Sequence, residues 1–353
     1  MNVLVVNAGS TSLKLSLVDE EGTTRTVSAL DAVDDDEFDV VGHRVVHGGE
    51  RFVAPVVVDD EVIEALATLS ELAPLHTTAA LTALESARTA LPTHPHVAVF
   101  DTAFHVTLPD VASTYAIPAR WQELGLRRFG FHGLSVQWTA ERVPVSRLVV
   151  CHLGGGCSVT AVRDGESVDT TMGFTPLDGL MMATRPGSVD PGILAYLLRE
   201  GHIALSEVEE ALHHQSGLLG ISGLSSDMRD IVAARAAGHE RATLAFDLYV
   251  ARLRQGIAAM AATLGGIDAI VFTGGVGEHA GEVRVAACAD FTWIGLSIDE
   301  HANAAASGDV EITSPESRVR VLVIHAREEL MIARETARLV HDASTVDRER
   351  GNA

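Results

Sequence analysis

Two stretches of the chain follow one plan. Residues 4–22 read "LVVNAGSTSLKLSLVDEEG" and residues 148–165 read "LVVCHLGGGCSVTAVRDG". With Asn7 set over His152, each has an apolar run, a polar residue, a turn of small residues, a second alternating run and a closing turn. A polypeptide that spells the same strand–turn–strand device in each half is most simply built from a duplicated domain, and 353 residues leave room for two. Strand-like runs ("DVVGHRVV", "VAVFD", "DAIVFTGG", "RVRVLVI") alternate with segments whose apolar residues recur at three and four ("DDEVIEALATLSEL", "TTAALTALESARTAL", "RATLAFDLYVARLRQGIAAMAATLGG", "REELMIARETARLVHD"). The alternation predicts α/β domains. The best boundary is "ERVPVS", giving a first domain over 1–144 and a second over 145–327, with helix 328–345 joined to the first.

The glycine-poor first copy has Ser10, Ser12 and Lys14 two apart, so a strand puts them on one face, with Leu13, Leu15 and Leu17 on the other and free to be buried. Two hydroxyls and an ammonium in a row suit phosphate oxygens. In the second copy Gly154, Gly155 and Gly156 remove side chains and let backbone N–H groups approach an anion. Either hairpin alone would be an ordinary turn; both in matching positions predict a split phosphate clamp. "FTGGVGEHAG" is a third glycine-rich turn after a strand. Gly275, Gly277 and Ala280 fit the dinucleotide pattern G-x-G-x-x-G/A, with Asp299 as the ribose acid, but the pattern comes late rather than in a leading βαβ unit, which leaves the dehydrogenase reading weak. No G-x-x-x-x-G-K-[ST] occurs, which excludes a P-loop.

Net charge is −22, repelling nucleic-acid phosphates, so no nucleic-acid partner is expected and an anionic substrate would need local cations in a cleft. No apolar run reaches the ~18 residues of a membrane span, and the start "MNVLVVN" lacks a basic leader. Cys151, Cys157 and Cys288 cannot build a disulfide framework and suit a reducing cytoplasm. Cys151, His152 and Cys157 are not read as a zinc site, because adjacent strand residues point to opposite faces. Arg44 and Arg185 are isolated arginines beside glycine turns, and Asp101 ends the strand "VAVF", an edge where α/β folds place functional groups.

The ordered set "NAGSTSLKLSL", "GHRVVHGGERF", "FDTAFH", "RRFGFHGLS", "HLGGGCS", "DTTMGFTPLDGLMMATRPGSVDP", "GLLGISGLSSDMRD", "FTGGVGEHAG" and "EELMIARET" resembles the acetate kinase family, which includes propionate and butyrate kinases, from the first strand to the last helix. The resemblance implies two duplicated actin-like (ribonuclease H-like) domains with a nucleotide cleft between them, a homodimer, and reversible transfer from ATP to acetate with Mg²⁺ (or Mn²⁺), giving acetyl phosphate and ADP. It implies catalytic roles for Arg44, Asp101, His132 and Arg185, and a carboxylate pocket of Arg44, Val46, Leu75, Phe131 and Pro176. Nucleotide contacts would come from Ser10, Ser12, Lys14, His152, Leu153, Gly154, Gly155, Gly156, Asp227, Met228, Arg229, Gly275, Val276, Gly277, Glu278 and His279, with Asn7 and Glu328 at the metal. A carboxylate nucleophile has little need of a base, so Asp101 is expected to orient rather than to abstract a proton. Loss of either arginine is expected to cost turnover and to leave stability nearly unchanged.

The chain departs from the family where Gly155 stands for Asn, Val136 for His and His279 for Asn. "HTTAA" also follows Leu75 in place of "HNP", and "HAREEL" stands for "PTNEEL". Two other readings stay open: another short carboxylate or a pyrophosphate donor on the same fold, and a non-catalytic nucleotide-binding regulator.

Overall fold

The computed structural model describes residues 1–8, 13–69, 74–199 and 203–351, with residues 74–78 and 343–351 described by their backbone alone. Packing divides the chain into two units: residues 1–106, 131–138 and 327–353 form one, residues 107–130 and 139–326 the other.

Each unit is organised on a six-stranded sheet. In the first, β1 (Val3–Ala8), β2 (Leu13–Val18), β3 (Thr24–Val27), β4 (Val40–Val45), β5 (Val56–Val57) and β6 (His96–Phe100) lie in the order β3-β2-β1-β4-β6-β5. In the second, β7 (Arg147–Leu153), β8 (Cys157–Arg163), β9 (Glu166–Thr170), β10 (Ala269–Thr273), β11 (Val310–Glu311) and β12 (Arg320–Val323) lie in the order β9-β8-β7-β10-β12-β11. Strand for strand the two orders are the same. The hairpin comes first and is antiparallel, β1 with β2 and β7 with β8. Two parallel strands follow, β4 and β6 in one unit and β10 and β12 in the other. A short antiparallel edge strand closes each. The duplication expected from the repeated hairpin is present in the topology.

Strand alternation decides which helix covers which face. On the first sheet Val41, Val45 and Ala98 turn one way, against Leu84 and Ala87 of helix Pro74–Ala90 and Val62 and Leu66 of helix Asp60–Leu69. Gly42 turns the other way, toward helix Glu328–Gly351 with its buried Met331 and Ile332. The approach there is so close that a Cβ on Gly42 would lie 2.5 Å from Thr336 Oγ1, so this position must be glycine for the helix to dock. In the second unit helix Glu240–Leu264 covers β7 and β8, with its N-terminus capped by His239 and its end turned by Gly265 at φ +69°. Leu15 is buried as expected, but Leu13 is 54% exposed: it is the first residue of its strand, beyond the reach of the core. Ser10 and Ser12 lie outside the described residues. Among the described residues no helix is long and apolar enough to cross a membrane.

Candidate functional site

In the first unit β1, β4 and β6 run parallel, and their carboxyl ends bring Asn7, Arg44 and Asp101 side by side. Arg44 Nε donates to both Asp101 oxygens at 3.1 Å, and its Nη2 donates to Oδ2 at 2.5 Å. Its Nη1 donates to Asn7 Oδ1 at 3.3 Å and lies 3.7 Å from Glu328 Oε2, which in turn accepts from Asn7 Nδ2 at 3.2 Å. Four residues named from the sequence thus form one network. Asp101 is only 1% exposed. Burial raises its carboxyl above the ordinary value, opposed by Arg44. For Arg44 burial works against the charge, but Asp101 and Glu328 together outweigh it and hold the guanidinium above its ordinary value.

The "FGFHG" turn is fastened to this network through the backbone. Gly133 N donates to Asp101 O at 2.9 Å, and a Cβ on Gly133 would sit 2.0 Å from that oxygen, so only glycine fits. The preceding His132 is held at φ +60°, a left-handed conformation uncommon outside glycine and one of the places where folds store strain for function. His105, buried at 2%, shares a hydrogen bond of 3.0 Å between its Nε2 and Phe131 O, and burial pushes it down to about 4. Being neutral against a carbonyl, its Nε2 carries the proton. His105 and Gly133 are site-building residues that the sequence reading passed over, although "FDTAFH" and "FGFHG" contain them. Val46 and Phe131 are buried, and the side chain of Leu75, in helix Pro74–Ala90, lies outside the described residues.

The second unit repeats the device with different chemistry. The parallel strands β7, β10 and β12 end in the Gly154–Gly156 turn, the Gly274–His279 helical turn and the segment 324–326. Gly154 N closes its turn onto Gly156 O at 2.9 Å, and His152 is buried beneath it. Ala183 N donates to Gly155 O at 3.3 Å, which ties the turn to the loop carrying Arg185. Arg185 Nη1 donates to Pro176 O at 2.9 Å, and among the described residues no carboxylate lies within ion-pair distance of it. Burial lowers its hold on a proton. A mostly buried guanidinium whose forked donors meet, among the described residues, one carbonyl is arranged to take an anion.

Other predicted contacts fall differently. Lys14 is exposed on β2, as are Gly275 and His279 on their turn, and Val276 is half-buried. Leu153 and Met228 are core side chains with 0% and 3% exposure, leaving only their backbone to meet a ligand. Asp227 caps helix Met228–Ala236 and accepts from the backbone N of Arg229 at 2.8 Å and from its Nη2 at 2.5 Å, so this pair is spent on itself. Glu278 is buried, and its carboxylate faces into the protein. The three cysteines are buried and free.

Gly155, which stands where the family has Asn, has room for a side chain. It is exposed, is not among the glycines with positive φ, and a Cβ there would meet nothing within 4 Å. Gly155→Asn should therefore fold normally and tighten ATP binding by at most ~1.5–3 kcal/mol, the worth of one hydrogen bond to a charged group. Titration calorimetry of both proteins with ATP checks this; unchanged or weaker binding by a folded variant would show that a side-chain amide here adds no contact to ATP.

A duplicated α/β fold with a buried Arg–Asp pair at one set of strand ends and a glycine cradle at the other defines a two-unit phosphotransferase architecture. A profile of the acetokinase family matches residues 25–334, and the chain belongs to that family. It is 50% identical over 321 residues to an acetate kinase of Nostoc punctiforme, covering 89% of this chain and 78% of that one. The crystal structure of Porphyromonas gingivalis acetate kinase is 34% identical and superposes with a TM-score of 0.85, covering 96% of this chain and 99% of that one. A propionate kinase from Francisella tularensis is 33% identical with a TM-score of 0.88, covering 96% and 99%.

Proposed function

We propose that this protein is an acetate kinase-type enzyme, moving the terminal phosphoryl group of ATP reversibly onto the carboxylate of acetate. The observation that carries this reading is the Asn7–Arg44–Asp101–Glu328 network, which combines one oriented guanidinium with oxygen donors from two parallel strand ends and the start of a helix. In the transfer a carboxylate oxygen of acetate bonds to phosphorus while the bond to the ADP oxygen breaks. The acceptor arrives as an anion and gives up no proton. Asp101 accordingly serves by fixing Arg44, whose Nε and Nη2 it occupies, so that the remaining edge of the guanidinium is presented in one orientation. Arg44 supplies charge to the equatorial oxygens as the phosphoryl group is shared, and the guanidinium of Arg185, in its own unit, offers an anion its free donors. His132 adds a donor, and Val46 and Phe131 offer apolar surface for the methyl group.

Asn7 and Glu328 offer hard oxygen donors, the ligand type magnesium prefers, and fit a water-bridged ion. When bound, magnesium would neutralise charge on the phosphate oxygens. A homodimer is supported by helix Pro191–Arg199, which buries none of its residues although Ile193 and Leu198, with neighbouring Val189 and Leu205, are apolar. Light scattering in solution gives the mass that decides it. The charge of −22 and the buried free thiols support a cytoplasmic setting without nucleic-acid partners.

The activity is tested by trapping acyl phosphate with hydroxylamine after incubation with acetate, propionate or butyrate, each with ATP or pyrophosphate. Acetate with ATP should give the highest kcat/KM. Binding of ATP with no acyl phosphate from any acid would instead favour a regulator.

A further inference from the structure

The equivalence of the two sheets extends to a side-chain pair that the reaction does not use. In the first unit Arg44 at the end of β4 meets Asp101 at the end of β6. The corresponding ends in the second unit are those of β10 and β12, and there Glu278 meets His325. Glu278 is 7% exposed. Its Oε1 accepts from Gly274 N at 3.0 Å and from Ala326 N at 2.9 Å, and its Oε2 pairs with His325 Nδ1. One carboxylate thus joins the first residue of the Gly274–His279 turn to the segment that follows β12.

What this carboxylate holds in place is tightly fitted. Gly274 stands at φ +77°, and a Cβ there would lie 2.8 Å from Leu153 O, so it abuts the end of the strand that opens into Gly154–Gly156. The far end of the same turn is gripped by Arg284, 2% exposed, whose Nη1 donates to Gly277 O and Glu278 O at 2.8 Å each, while its Nε donates to Asn303 at 2.7 Å. His325 is itself anchored, its N donating to Asp309 Oδ1 at 2.8 Å. Where "HAREEL" stands for "PTNEEL", His325 takes the place of a proline, which has no side-chain donor to offer Glu278.

We propose that Glu278 and His325 form a latch that sets the Gly274–His279 turn for the nucleotide, so that both are positioning residues and Glu278 is not a nucleotide contact. The inference rests on the nucleotide-binding part of the proposed function. A latch acting only on this turn affects the nucleotide and spares the carboxylate acceptor, whose proposed cation Arg44 is held by Asp101.

The test compares Glu278→Gln, His325→Ala, His325→Gln and the Glu278→Gln/His325→Ala double variant. ATP binding is measured by calorimetry, KM for ATP and acetate by steady-state kinetics, and folding by thermal melting. Glu278→Gln should weaken ATP binding about ten-fold, since a misplaced charge-assisted hydrogen bond costs at least ~1.4 kcal/mol, with KM for acetate changed less than about two-fold. His325→Ala should weaken ATP about three-fold, His325→Gln should recover most of that by restoring a donor, and the double variant should be no weaker than Glu278→Gln alone. Parallel loss of affinity for both substrates, unchanged ATP binding, or simple addition in the double variant would overturn the latch. If Glu278→Gln does not fold, the half-exposed His325 pair of variants decides alone. If the wild type binds ATP but phosphorylates no acid, the kinase reading fails while the calorimetry still judges the latch.

Discussion

Arg44→Ala is expected to lower kcat by roughly 10²–10³, the effect of removing one oriented donor from developing charge, and also to destabilise the protein by about 3–5 kcal/mol. The second half corrects the expectation that stability would barely change. Asp101 is 1% exposed, and three of its hydrogen bonds come from Arg44. Truncation leaves that carboxylate buried without its cation. Arg185→Ala provides the contrast: its guanidinium meets a carbonyl and, among the described residues, no carboxylate, so turnover should fall similarly while the melting temperature moves little. Melting curves and steady-state kinetics on the two variants separate the cases. Equal stability losses would mean that the Arg44–Asp101 pair contributes nothing beyond catalysis, and near-normal kcat for either would remove that arginine from the mechanism.

Acid should unfold the first unit earlier than carboxylate titration alone would. His43 and His96 are buried on neighbouring strands with His43 Nε2 and His96 Nδ1 2.8 Å apart, and His96 Nε2 lies 3.1 Å from Leu91 O. The carbonyl fixes the proton on Nε2 of His96, so its Nδ1 accepts from His43. Burial pushes His43 down to about 3 and His105 to about 4; His96 is lowered too, by burial first and then by Arg88 and His94. Folded-state values below that of the unfolded chain mean that the unfolded chain takes up protons first. Stability is fully present above pH ~6.5 and is lost as pH falls toward the folded values, by ~1.4 kcal/mol per pH unit for each such histidine. By pH ~4.5 His43 and His105 together would remove roughly 5 kcal/mol, comparable to the stability of a whole domain. The His43→Leu/His96→Leu variant should flatten the fall of melting temperature between pH 6.5 and 4.5 by about half. An unchanged slope would assign the acid sensitivity to other groups.

Much of this was legible in the sequence because the central strands are buried runs. "VLVV", "HVAVF", "LVVCHL" and "AIVF" are apolar on both faces, as strands covered by helices must be. The edge strands were not legible: β3 and β9 are polar and short, and β5 and β11 have two residues each. Arg44, Asp101 and Glu328 stood out by residue type beside turns or strand ends and by family resemblance. Their assembly into one network, with Asn7 and Glu328 321 positions apart, depends on strand order, which no local pattern encodes. Glu278, which the resemblance put among the nucleotide contacts, has its carboxylate taken up by two backbone amides and a histidine from another strand end, a partnership that no local pattern encodes.

The first unit is written in pieces, and this bears on how the chain folds as it is made. Its sheet is complete by Phe100, but the helix that packs against Gly42 begins at Glu328, after every strand of the second unit. Domains ordinarily fold in the order of synthesis. Here the second unit has its sheet in hand while the first still exposes one face to water, so the last unit to be translated is the first that can finish. Glu328 emerges at the head of the closing helix, and the Asn7–Arg44–Asp101–Glu328 network therefore cannot assemble on a nascent chain until every strand of both sheets has been made.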